Sequence, residues 1–94
     1  MRRAAKVDAV QEQIVSALKA AGARVQSLAA IGKGCPDILV AYGTRPDVRL
    51  YLMELKTGKA EPNELQKRWH IAWQAPVYVV RTPDEALRVL GIIK

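Results

Sequence analysis

Two continuous apolar runs, Asp37 to Tyr42 (Asp-Ile-Leu-Val-Ala-Tyr) and Leu50 to Leu55 (Leu-Tyr-Leu-Met-Glu-Leu), are joined only by Gly43-Thr44-Arg45-Pro46-Asp47-Val48. Both runs have strand length. A connection this short closes an antiparallel hairpin, because parallel neighbours need a crossover of roughly a dozen residues or more. Both runs read as central strands of a sheet, with the helices of the chain against it.

The flanking segments supply that cover. From Val7 to Ala21 the apolar residues Val7, Val10, Ile14, Ala17, Leu18 and Ala21 form one helical stripe, stopped by Gly22. Ala23 to Leu28 alternates as a further strand, and Ile31-Gly32-Lys33-Gly34-Cys35-Pro36 reads as a loop. A second helix is expected to start near Pro62, with Leu65, Trp69, Ala72 and Trp73 as its stripe and both tryptophans in the core. Val77 to Val80 is β-branched enough for a strand, and Thr82-Pro83-Asp84-Glu85 is a capping signature that opens a helix through Leu87 and Leu90. The order αβββαβα predicts an α/β domain with a small mixed sheet flanked by helices.

A chain of 94 residues has room for one such domain, spanning residues 1–94, with residues 1–6 as a flexible basic arm. Fifteen Lys and Arg against nine Asp and Glu give a formal charge of +6, which suits a polyanionic partner such as nucleic acid. The single Cys35 excludes an intramolecular disulfide and is read as a small packing residue. No Cys/His group has the spacing of a zinc site. No apolar run approaches the length of a membrane span, so the expectation is a cytoplasmic protein with no membrane partner and no small-molecule cofactor.

The chemistry concentrates at the strand ends. Residues two apart on a strand share a face, so Glu54 and Lys56 project together. If the hairpin pairs residues whose numbers sum to 91, Asp37 lies across from Glu54, with the carboxylates about 5 Å apart. Carboxylates so close repel each other unless a proton or a cation intervenes. Mg²⁺ takes one or two carboxylates and leaves water and substrate phosphate to complete its octahedron. Such an ion lowers the pKa of its water and shields developing charge, both of which phosphodiester hydrolysis requires. Lys56 would orient the water or stabilise that charge. The plainer reading of Glu54 and Lys56 is a surface ion pair worth under about 1 kcal/mol.

Gly34-Cys35-Pro36-Asp37, then Glu54-Leu55-Lys56, then Leu65-Gln66 together resemble the PD-(D/E)xK nuclease superfamily, and within it the VRR-NUC (virus-type replication-repair nuclease) branch. The resemblance covers nearly the whole chain. It implies a restriction-endonuclease-like fold and Mg²⁺- or Mn²⁺-dependent endonuclease cleavage of DNA, with Asp37, Glu54 and the Leu55 backbone carbonyl as metal ligands and Lys56 as a catalytic residue. Similar stand-alone members are often phage-borne and resemble Holliday-junction resolvases that act as homodimers. The family's first-helix Glu maps onto Gln11. On the helical stripe Gln11 sits about 60° from the core direction, and Glu12 about 160° away, toward solvent. An amide oxygen is a weaker ligand than a carboxylate, so the alternative to an active nuclease is a DNA-binding module of the same fold with weak or no catalysis. Gln66 corresponds to a family glutamine near the catalytic Lys. Lys33, Lys59, Lys67, Arg68 and His70 are candidate DNA contacts, with His70 read as a residue of the helix surface, and Gly34 is expected where backbone must approach closely.

Overall fold

The computed structural model describes residues 8–94, so the basic arm expected over residues 1–6 and the helix start expected at Val7 lie outside the described residues. The elements are α1 (Asp8–Ala20), β1 (Arg24–Ser27), β2 (Ile38–Tyr42), β3 (Arg49–Leu55), α2 (Glu64–Trp73), β4 (Val77–Val80) and α3 (Pro83–Val89). This is the αβββαβα order that the sequence predicts. The strands form one mixed sheet in the order β1-β2-β3-β4, with β1, β2 and β3 antiparallel in turn and β4 parallel to β3. The parallel step is where a crossover is required, and α2 supplies it.

The hairpin register is the expected one. Ile38 pairs with Met53, Val40 with Tyr51 and Tyr42 with Arg49, each sum being 91. Alternation then sends Ile38, Val40, Met53 and Leu55 to one face. There they meet Ile14 and Leu18 of α1, Val80 of β4, and Ala86 and Leu90 at α3 in a single buried cluster. Each fully buried aliphatic side chain of that cluster contributes about 1.5–3 kcal/mol. α1 and α3 also pack against each other, so the two helices form one layer over this face.

α2 lies on the other face, reaching Glu54, which alternation turns away from Met53 and Leu55. It starts near Pro62, as expected, but Pro62 precedes the cap and is not the first helical residue. Asn63 is the N-cap: its side chain accepts from the Gln66 N–H at 2.9 Å while the Gln66 side chain accepts from the Asn63 N–H at 2.8 Å. This reciprocal pair satisfies the donors that a helix start leaves open, which Pro62 has no group to do.

The two tryptophans are the clearest correction. α2 has no buried residue, and Trp73 is 65% exposed. The helix covers only the strand ends around Glu54, so its apolar flank finds no sheet beneath it. Trp69 and Trp73 stack on each other instead, with ring centroids 4.9 Å apart and planes 12° from parallel. Among the described residues, no helix is long and apolar enough to cross a membrane.

Candidate carboxylate site at the strand ends

Asp37 directly precedes β2 and its backbone is held from both sides. Its N–H donates to the Met53 carbonyl at 3.0 Å, and its own carbonyl accepts from Leu28 N–H at 2.8 Å. The side chain turns toward β3, where Oδ2 accepts from the Leu55 N–H at 2.6 Å. Asp37 therefore grips the residues on either side of Glu54. The carboxylate becomes a fixed part of the strand ends rather than the start of a turn.

Glu54 is fully buried. Its Oε2 accepts from Gln66 Nε2 at 2.6 Å, and its Oε1 stands 3.3 Å from His70 Nε2. The Glu54 pKa is raised above the ordinary carboxylate value, first by burial and then by the Asp37 charge; a side-chain hydrogen bond with Asp37 raises it further, and His70 and Lys56 pull it back. The strand register carries Asp37 to the position opposite Glu54, one step past the Ile38–Met53 pair. Lys56 is half-buried, and its backbone N–H donates to the Val80 carbonyl at 3.1 Å, which extends the parallel β3–β4 pairing past the strand end. Burial and the two carboxylates together push the Cys35 thiol up, so it remains a protonated, half-buried thiol beside the pair.

The helices approach the pair from opposite sides. Gln11 of α1 is half-buried and lines a cleft of about 450 Å³ together with Asp37 and Leu55. Glu12 is exposed, as its helical position predicts, yet it lines the same cleft. The core direction of a helix therefore does not separate these neighbours, because the cleft opens along the flank of α1. On the α2 side, Gln66 joins its capping role to the contact with Glu54. His70 is corrected: it faces Glu54 rather than standing on the helix surface, since it follows Gln66 by one turn and lies above the same carboxylate. The close backbone approach expected at Gly34 is present, and the segment it approaches is α2. With φ +85 its backbone abuts Leu65 and Gln66, and any Cβ would overlap the Leu65 carbonyl.

Lys33, Lys59, Lys67 and Arg68 are exposed, and none of them lines the Asp37 cleft. Lys67 is 3.9 Å from Glu64 on its own helix. Three residues that the sequence reading missed do line the cleft: Ser16 and Lys19 on α1 and Ser27 on β1. Helical spacing carried the signal for the first two, because Glu12, Ser16 and Lys19 form an i, i+4, i+7 stripe. Arg81, also missed, braces the segment after Lys56: Nε donates to the Gly58 carbonyl at 3.0 Å, and Nη2 donates to the Ala60 carbonyl at 2.6 Å. A lone Arg after a strand gives no sequence signal for that role.

Comparison with family models, with curated proteins and with solved structures finds no match to this chain. Among the described residues, no three His, Cys, Asp or Glu side chains converge as a metal cage. A divalent ion here would rely on the carboxylate pair, the Leu55 carbonyl and water. That donor set consists of hard oxygens, few in number, the kind of set Mg²⁺ or Mn²⁺ takes.

Proposed function

We propose that the chain is a divalent-metal-dependent endodeoxyribonuclease with a restriction-endonuclease-like fold, similar to the VRR-NUC branch of the PD-(D/E)xK nucleases. The observation that carries this reading is the placement of Asp37, bonded to the Leu55 N–H, one step past the Ile38–Met53 pair and so opposite the fully buried Glu54, with Lys56 two residues further along the same strand end. Two acidic groups held together, one of them fully buried, are costly to ionise unless a cation sits between them.

Asp37, Glu54 and the Leu55 carbonyl would hold the ion, which when bound supplies a water of lowered pKa and charge stabilisation at phosphorus. Lys56 would place a positive charge beside the attacked phosphate, where it stabilises charge that develops only in the transition state. Gln66 positions Glu54, and Gln11 reaches the cleft from the opposite wall. One small domain offers one such site, and paired incision of a branched junction needs two, so a homodimer is the working form in this reading.

Incubation with branched and linear DNA under Mg²⁺, Mn²⁺ or EDTA tests it. Cleavage is expected with metal only, and it should disappear in Asp37→Ala and in Lys56→Ala without loss of fold. Cleavage that survives EDTA, or that persists in Asp37→Ala, would exclude the mechanism. A second reading, a DNA-binding module of the same architecture with little catalysis, draws support from the neutral Gln11 and from the full burial of Glu54. Under that reading the protein binds DNA without metal, cuts nothing, and gains nothing from Gln11→Glu.

A further inference from the structure

Because Glu54 is fully buried, the carboxylate pair meets the surface through Asp37, and Asp37 lines the cleft between α1 and β1. A phosphate that reaches the pair therefore arrives from the α1 side. The exposed lysines and arginine on and around α2 lie outside that cleft. The basic residue that lines it is Lys19, exposed and in the last turn of α1; Lys56 and Glu54 do not line it and approach the Asp37 end from the opposite face of β3.

The spacing along α1 gives this residue its place. Lys19 is about 12 Å from Gln11 along the helix axis, at 1.5 Å per residue, and falls on the same flank. Ser27 pairs with Ile38 and so lies beside Asp37 at the other end of the groove. Lys19 is thus too far along to meet the phosphate at Asp37 and well placed to meet a neighbouring one. The groove, about 450 Å³, belongs to the size class of small-ligand sites, roughly 300–1,000 Å³. That accommodates the sugar and phosphate of one strand.

We propose that the strand to be cut lies along the groove between α1 and β1, with the scissile phosphate at Asp37 and a flanking phosphate held by Lys19. This rests on the nuclease reading above and assigns DNA to the α1 side of the molecule, not to α2. The Ser16 and Ser27 hydroxyls, on opposite walls, add neutral phosphate contacts.

Anisotropy of a labelled oligonucleotide, with Ca²⁺ replacing Mg²⁺ and salt varied, tests the assignment on the full chain. Each phosphate neutralised by a side chain contributes a slope of about −0.9 for duplex or −0.7 for single strands in log K against log salt. Lys19→Ala is expected to weaken binding and to make the slope shallower by that amount. Ser16→Asp, which puts a negative charge on the groove wall, is expected to weaken binding too. Lys67→Ala and Arg68→Ala should change neither quantity. All four positions are exposed, and a thermal melt confirms that each variant is folded. If the slope changes with Lys67 and Arg68 and ignores Lys19, the groove is the wrong surface even where cleavage is intact. A Lys19-dependent slope in a protein that cuts nothing under Mg²⁺ or Mn²⁺ retains the groove and removes the nuclease.

Discussion

Burial and the Asp37 charge raise the proton affinity of Glu54, so the metal-free native protein keeps a proton there that the unfolded chain releases near the ordinary value of 4.5. The sign follows from linkage: the native state binds more protons than the unfolded state above that pH, so stability falls as pH rises from 4.5 to the raised value. Glu54→Gln removes the ionisation and retains the shape. Its stability relative to wild type should therefore improve across that window in denaturant melts with chelator, and a flat difference would contradict the burial of an ionisable pair. Gly34 makes an equally local claim. An alanine there would adopt a left-handed conformation, which costs roughly 1–2 kcal/mol, and would press its Cβ into the Leu65 carbonyl. Gly34→Ala is expected to destabilise by more than about 2 kcal/mol in chemical unfolding.

Among the elements, α1, α3 and the sheet hold the fold, and α2 adds little to it. Met53→Ala, in the centre of the cluster, should cost about 2–5 kcal/mol. Trp73→Ala should cost about 1 kcal/mol or less, mostly the stack with Trp69. A thermal or urea melt of the two variants separates these outcomes. The same contrast marks what could be read from the residues alone. The hairpin and its register were legible, because strand parity and connection length are local and a sum of 91 follows from them. The exposure of Trp73 was not legible, since an apolar stripe shows that a helix has a preferred face without showing how far the sheet extends beneath it. His70 facing Glu54 was missed for a related reason: the inward direction of α2 is set by a polar contact, Gln66 to Glu54, rather than by its apolar side chains.

At the scale of the molecule, an ion that binds only the folded protein adds stability by mass action, about 2.7 kcal/mol at a hundredfold excess over Kd. For a domain of this size that corresponds to a rise in Tm on the order of 10 °C. Mn²⁺ should produce such a shift in wild type and none in Asp37→Ala or Glu54→Gln, measured by calorimetry. The net charge of +6 adds a sequence-independent attraction to any polyanion. That background makes salt dependence more informative than affinity alone in judging where a nucleic acid lies. The clasp of Gln66 and His70 on Glu54 also has a kinetic side, because the helix that bears both residues buries nothing in the core. Lifting it exposes little apolar surface, so that excursion lies far below global unfolding in free energy. Amide protons of α2 should exchange with deuterated solvent well before those of β2 and β3. In the nuclease reading, the cleft at Asp37 would admit an ion at any time, and the breathing of one peripheral helix would set when Glu54 is free of Gln66 and His70 to join it.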